Sequence, residues 1–236
     1  MLEESLWNSI RLLQPDGGFR LSTDSVLVAN FMSLPNHARV CDLGAGCGSI
    51  GLLLCARSAS VHVTGVELQP DACRLAEQNI ALNSLQDRFC VHCADLRKLR
   101  GLLPAANFDC VVSNPPYFQT NAGGVCADPS RAIARTELCC TLEDLCRAAA
   151  MLLRWGGSFA LVHRPERLCD LIWQFRQNGI EPKRIRFVRH TQSSPVCLVL
   201  LEGRRGAKAG LSYEPDLIQF APDGSETAEY RAIYHH

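Results

Sequence analysis

From residue 38 onward the chain alternates short apolar runs with stretches in which apolar residues recur every three or four positions. Such alternation predicts strand-helix units laid on a parallel sheet. Arg39-Val40-Cys41-Asp42-Leu43 reads as a buried strand, and Ser49-Ile50-Gly51-Leu52-Leu53-Leu54 opens a helix. Val61-His62-Val63-Thr64-Gly65-Val66-Glu67 predicts a second strand. Pro70 follows at a first helical turn, with Ala72, Leu75, Ala76 and Ile80 on one face of that helix. Residues 89–93 and 108–113 give two more strands. Thr141-Leu142-Glu143-Asp144 caps a helix whose apolar stripe is Leu142, Leu145, Ala149 and Leu152. Gly156-Gly157 turn that helix into a fifth strand at 158–163.

The runs at 184–189 and 196–201 are joined through Gln192-Ser193-Ser194-Pro195, too short for a helical crossover, so they predict an antiparallel pair. The expected fold is α/β and Rossmann-like: a mostly parallel seven-stranded sheet with a C-terminal antiparallel hairpin and helices on both faces. A sheet that ends this way departs from a dinucleotide-binding dehydrogenase and points toward a methyltransferase-type sheet. No internal repeat or low-complexity tract divides the chain. We therefore expect one domain over 1–236, with an N-terminal extension at 1–37 covering the binding site, a core at 38–203 and a tail at 204–236. Residues 118–136, with Gly123-Gly124 and little periodicity, read as a long loop of the kind that serves as a lid.

Composition narrows the class. Of 236 residues 47% are apolar and 20% charged, which excludes a disordered or collagen-like chain. No run approaches the roughly 18–20 apolar residues needed to cross a bilayer, and Met1-Leu2-Glu3-Glu4 lacks a secretory start. The expectation is a soluble cytosolic protein with no membrane partner; His235-His236 reads as a tag remnant. The 13 cysteines are scattered through apolar runs, and most read as reduced core thiols. Cys90-Val91-His92-Cys93 sits in a predicted strand, where residues three apart face opposite ways, so no metal is expected.

Formal charge sums to zero, yet residues 1–130 carry 9 basic and 12 acidic side chains, against 14 and 7 in residues 131–208. Lys183, Arg184, Arg186, Arg189, Arg204, Arg205 and Lys208 cluster late. Of the 24 cations 21 are Arg, whose planar fork suits phosphate. The same cluster also fits a solvated face on late strands.

Candidate chemistry begins after the first strand, at Asp42-Leu43-Gly44-Ala45-Gly46-Cys47-Gly48. Small residues there let the backbone turn sharply and approach a ligand. A dinucleotide fingerprint would put its third glycine at Ser49; here it stands at Gly48. Glu67 closes the second strand, where an acid can accept both hydroxyls of a ribose, and Asp95 follows the third, within reach of an adenine amino group. A glycine turn and strand-end acids are also common structural features; three in order at successive strand ends point to one ligand.

The fourth strand ends in Ser113-Asn114-Pro115-Pro116-Tyr117. Two prolines fix φ and remove two donors, leaving a stiff turn that presents carbonyls and the Asn114 amide. The amide oxygen and the Pro115 carbonyl can accept both hydrogens of one NH2 group. An amine conjugated to a ring or carbonyl attacks poorly because its lone pair is delocalised; two acceptors draw its nitrogen toward tetrahedral geometry and aim the lone pair. Tyr117 supplies a π face for a planar substrate.

With these residues the chain resembles the class I S-adenosylmethionine-dependent N-methyltransferases that carry Asn-Pro-Pro-Tyr. Over nearly its whole length it is most similar to the bacterial tRNA1(Val) (adenine(37)-N6)-methyltransferase family. The similarity extends to Gln14-Pro15-Asp16-Gly17-Gly18-Phe19-Arg20-Leu21-Ser22-Thr23-Asp24-Ser25, to Ala134-Arg135-Thr136-Glu137, to Pro182-Lys183-Arg184-Ile185-Arg186-Phe187-Val188, and to the tail near Tyr230 and Tyr234. One departure is Thr136, where many relatives carry His.

The resemblance implies S-adenosylmethionine as cofactor, tRNA as partner and no metal. Gly44, Gly46 and Gly48 would cradle the methionine part of the cofactor and Glu67 its ribose, while Asp95 would read its adenine. Asp42, Ala45, Leu68, Leu96 and Asn114 would complete that site. Asn114, Pro115, Pro116 and Tyr117 would position the target adenine, and Arg131, Arg135, Lys183, Arg184, Arg186 and Arg189 would meet RNA phosphate. Arg20, Thr23 and Asp24 would close over the cofactor, with Thr23 or Asp24 equally suited to capping the following helix. The same motif serves glutamine methylation in release factors and guanine-N2 methylation in rRNA, although no separate helical docking domain precedes residue 38. A passive module that binds cofactor and RNA is the non-enzymatic alternative; the intact Asn114 and its proline pair argue against it.

Overall fold

The computed structural model describes residues 2–5, 7, 10–14, 21–116 and 140–234. In chain order its strands are β1 (Leu2–Ser5), β2 (Arg11–Gln14), β3 (Arg39–Leu43), β4 (His62–Glu67), β5 (Phe89–Cys93), β6 (Phe108–Ser113), β7 (Leu153–His163), β8 (Ile180–Arg189), β9 (Val196–Arg205) and β10 (Ser212–Ile218). Its helices are α1 (Thr23–Phe31), α2 (Ser49–Arg57), α3 (Pro70–Leu82), α4 (Leu142–Leu152), α5 (Leu168–Gln177) and α6 (Ala228–Tyr234).

Eight strands form one sheet in the order β10-β8-β9-β7-β6-β3-β4-β5. β5, β4, β3, β6 and β7 run parallel to one another, and β9 pairs antiparallel with both β7 and β8. Alternation along the central strands divides the core between the two faces. Val40, Cys110, Val112, Ala160 and Val162 pack with residues of α1 and α2. Cys41, Val111, Phe159 and Leu161 pack instead with residues of α4 and α5. Both faces are covered, so the central strands read as nearly continuous apolar runs.

The predicted seven strands form, and an eighth joins them from the tail. β10 runs parallel to β8 at the sheet edge. Its sequence, Ser212-Tyr213-Glu214-Pro215-Asp216-Leu217-Ile218, is polar and contains a proline, which an edge strand tolerates and a central one does not. Charge ties it on: Glu214 meets Arg184 at 2.7 Å and Asp216 meets Arg189 at 2.6 Å. β7 also starts earlier than expected, directly after α4, with Gly156 at φ 78° inside its first residues.

The N-terminal hairpin β1–β2 is fastened to α3 by side chains. Buried Asn79 accepts from the Leu13 amide at 2.7 Å and donates to the Leu13 carbonyl at 3.1 Å and to the Cys47 carbonyl at 3.0 Å. One turn on, Asn83 makes the same two-way contact with Arg11, at 2.8 and 2.7 Å. A helix edge thus satisfies strand groups that would otherwise be orphaned.

Candidate active site

The carboxyl ends of β3, β4, β5 and β6 lie side by side and carry the Gly44–Gly48 turn, Glu67, Asp95 and Asn114. After β3 the chain hooks onto β4, with the Gly44 and Ala45 amides both donating to the Val66 carbonyl, at 2.9 and 3.0 Å. Gly44 adopts φ 78°, and a Cβ built there would meet nothing within 4 Å, so open space faces the turn. Gly48, at φ 85°, is the N-cap of α2 and packs toward Ala76 and Phe89. Both positions need a conformation that L side chains avoid.

Beneath this turn lies Asp42, fully buried, with neither carboxylate oxygen hydrogen-bonded. Burial, then the negative charge of Glu67, pushes its pKa up to about 7; the amide of Gly51 opposes this without reaching hydrogen-bond geometry. A buried acceptor group with no partner is costly unless something else supplies the donor. Glu67, also buried, accepts from the Gly46 amide through one oxygen and from the Gln69 amide through the other, each at 2.8 Å. Leu68, beside it, is exposed.

Asp95 caps the short 3-10 helix Leu96–Lys98 and is engaged by Arg97, through the backbone amide at 2.9 Å and the guanidinium at 2.6 Å. The hydrogen-bonded Arg97 holds its carboxyl below the usual range.

Asn114 leaves β6 half-buried, followed by Pro115 and Pro116. The strand end is stapled to the glycine turn, because the buried Ser113 hydroxyl donates to the Leu43 carbonyl at 2.7 Å. The Asn114 amide nitrogen donates to Ser22 Oγ at 3.1 Å and to Ser25 Oγ at 3.0 Å. The N-cap of α1 is Ser22, which accepts from the Ser25 amide, in place of the expected Thr23 or Asp24. Ser22 can take that role because its side chain sits one residue before the first helical turn, with extended backbone. Arg20, Tyr117 and the whole loop expected at 118–136, with Arg131, Arg135 and Thr136, lie outside the described residues.

Next to this elbow, β7 ends in His163, 1% exposed, which accepts from the Arg164 amide through Nδ1 at 2.8 Å. Burial, reinforced by Arg167, lowers its pKa to about 4, so it is a neutral imidazole at neutral pH.

On β8, Lys183, Arg184, Arg186 and Arg189 bond to the protein's own acceptors. Arg184 bonds to Glu202, Glu214, Ser33 and the Phe31 carbonyl, and its guanidinium lies 4.5 Å from the Phe31 ring centroid. Arg186 pairs with Glu229 at 2.6 Å, Arg189 with Asp216, and Lys183 donates to the Lys208 carbonyl at 3.2 Å. β10 and α6 bring the acids that hold Arg186 and Arg189, and neither element was legible in the apolar pattern. Asn79, Ser22, Ser25 and Ser113 shape the site without having been singled out. Ser22-Thr23-Asp24-Ser25 before an apolar run was their one local signal. Among the described residues no group of three or more His, Cys, Asp or Glu could hold a metal ion, and no helix is long and apolar enough to cross a membrane. Cys90 and Cys93 are exposed, whereas Cys41, Cys47, Cys55, Cys73, Cys110 and Cys146 are buried thiols.

Comparison with known proteins agrees with this arrangement. Residues 20–171 match the methyltransferase small domain family. A tRNA1(Val) (adenine(37)-N6)-methyltransferase from Parabacteroides distasonis is 32% identical over 185 residues, 78% of this chain and 76% of that protein. The like-named protein of Porphyromonas gingivalis is 34% identical over 160 residues, 64% of this chain and 61% of its own length. Among solved structures, one from Agrobacterium tumefaciens described as a predicted O-methyltransferase superposes with a TM-score of 0.74 at 23% identity, covering 89% of this chain and 94% of that one. The parallel sheet with its antiparallel ending, the glycine turn at the end of β3 and the matched residues 20–171 together make this chain a member of the methyltransferase small domain family.

Proposed function

We propose that the chain methylates the exocyclic N6 of an adenine in tRNA, in the cytoplasm, with S-adenosylmethionine as donor. The observation that carries this reading is the placement of Asn114-Pro115-Pro116 beside the Gly44–Gly48 turn, stapled there by Ser113. The likeness to relatives named for N6 methylation of adenine 37 supports the choice of amine.

The residues at the turn fit the cofactor. Asp42 presents a buried carboxylate without a partner, suited to shape the turn or to meet an ammonium group through water, and open space lies over Gly44. Ala45, Gly46 and Gly48 lie in the turn after β3, Leu68 follows β4 and Leu96 opens the 3-10 helix after β5; from there Glu67 would hold the ribose and Asp95 the adenine amino group. When bound, the cofactor supplies an electrophilic methyl on a sulfonium.

The protein's own task is to prepare the nucleophile. Asn114 Oδ1 and the Pro115 carbonyl accept the two hydrogens of the adenine amine, and Pro116 keeps that turn stiff. Both acceptors favour the pyramidal nitrogen of the transition state over the planar ground state. Once methylated, the nitrogen is a strong acid and releases its proton to solvent, so no strong base is required. Neutral His163 does not change this, its imidazole being buried and already bonded to the Arg164 amide. Tyr117 supplies the stacking face, and Arg131 and Arg135 the phosphate contacts; on β8, Arg184, Arg186 and Arg189 serve mainly to hold β10 and α6.

The test is to incubate the protein with labelled S-adenosylmethionine and total tRNA, rRNA and release factor, then identify the product by mass spectrometry. N6-methyladenosine in tRNA is expected; labelled glutamine or N2-methylguanosine would overturn the substrate assignment. Asn114→Ala should retain cofactor binding and lose transfer.

A further inference from the structure

Resting on the amine-methylation reading, we propose that Ser22 and Ser25 are positioning residues that decide which end of the Asn114 amide faces the substrate. A side-chain amide has two ends of similar size and opposite hydrogen-bonding character. If the NH2 end faced the pocket, it would present donors to an amine that itself needs acceptors, and the elbow would repel its substrate.

The geometry on α1 selects the other orientation. Asn114 Nδ2 lies 3.1 Å from Ser22 Oγ and 3.0 Å from Ser25 Oγ, so each amide hydrogen has its own hydroxyl acceptor. The hydroxyls are 3.3 Å apart and hydrogen-bond each other, which uses one of their two protons. Ser22 Oγ further accepts from the Ser25 amide at 3.3 Å, so its lone pairs are taken. In the flipped amide, Oδ1 would need protons from this pair, and with the mutual bond kept only one remains. Flipping therefore exchanges two hydrogen bonds for one in a place where Ser25 is 6% exposed and water is scarce. The orientation with Oδ1 toward the substrate is the one the serine pair favours, and it is set before any ligand arrives.

Because Ser22 also caps α1, the variants must separate helix stability from amide orientation. Ser25→Ala leaves the cap in place and removes one acceptor. Ser22→Gly removes the other acceptor at small capping cost, and Ser22→Thr retains both cap and hydroxyl. In single-turnover transfer with saturating cofactor and tRNA, we expect Ser25→Ala and Ser22→Gly to slow methyl transfer roughly tenfold each, with cofactor Kd unchanged, and Ser22→Thr to stay near wild type. The Asn114 side-chain NH2 resonances should also shift and exchange faster with solvent in Ser25→Ala.

Wild-type transfer rates in Ser25→Ala and Ser22→Gly, or losses that track cofactor affinity or melting temperature alone, would overturn the positioning role. Failure of wild type to methylate an amine would overturn the reading beneath it. The NH2 resonances decide the pinning independently of activity: unchanged shift and exchange in Ser25→Ala would overturn it.

Discussion

Glu67 holds the Gly46 amide at 2.8 Å, so an acid at the end of β4 sets the shape of the glycine turn at the end of β3. Its other oxygen holds Gln69 at the same distance. One carboxylate thus ties together both loops of the proposed pocket. Glu67→Ala should weaken S-adenosylmethionine binding roughly ten- to hundredfold, the scale of losing charge-assisted hydrogen bonds. Calorimetric titration measures this, and transfer at saturating cofactor should change much less.

Asp42 makes stability fall as pH rises. Its pKa, raised from 3.8 to about 7, means that the folded chain binds this proton more tightly than the unfolded chain does. The resulting stabilisation is complete below pH 3.8, declines across the interval and is gone above about 7. Asp42→Asn should therefore be more stable than wild type at pH 8, by roughly 4 kcal/mol, and by less than half of that at pH 5. Urea midpoints at the two pH values check this. If the carboxylate receives the ammonium of the cofactor, the same variant should bind cofactor more weakly despite its greater stability.

His163 acts in the opposite sense. With a folded pKa near 4 against an ordinary 6.5, it binds its proton more readily when unfolded, so its contribution is full above pH 6.5 and lost as pH falls toward 4. The swing amounts to about 3 kcal/mol. His163→Asn, which keeps an acceptor near the Arg164 amide, should flatten this limb in denaturation curves at pH 7.5, 5.5 and 4.5.

Arg184 neutralises Glu202, which is 4% exposed and also bonded to the Ser33 amide. Removing the guanidinium leaves a buried charge with too few partners, and Arg184→Ala should cost about 3–4 kcal/mol. The double variant Arg184→Met/Glu202→Gln should recover most of that loss in urea denaturation. Its tRNA affinity should keep the wild-type salt slope if Arg184 makes no phosphate contact.

Periodicity is strongest where both sheet faces are covered, which is why β3, β5 and β6 were legible residue for residue and β4 to within one residue. The glycine spacing and Asn114-Pro115-Pro116 were legible because steric demands on backbone torsion restrict which residues can occupy such turns. β10 was not legible, because ion pairs from Glu214 and Asp216 hold it where an apolar run was sought. For the same reason the sequence leaves the role of the basic stretch around Arg184 open: it records cations without the acids that fold back on them. Ser22 and Ser25 escaped notice since their partner, Asn114, lies about ninety positions away along the chain.

Asn79 touches Leu13 with one end of its amide and both Leu13 and Cys47 with the other. A tilt of the loop around Cys47 must therefore tug on the amino-terminal hairpin. The Leu13 amide becomes a remote gauge of the pocket: its hydrogen-exchange rate should register when a ligand stills that loop, although Leu13 itself need touch nothing bound there.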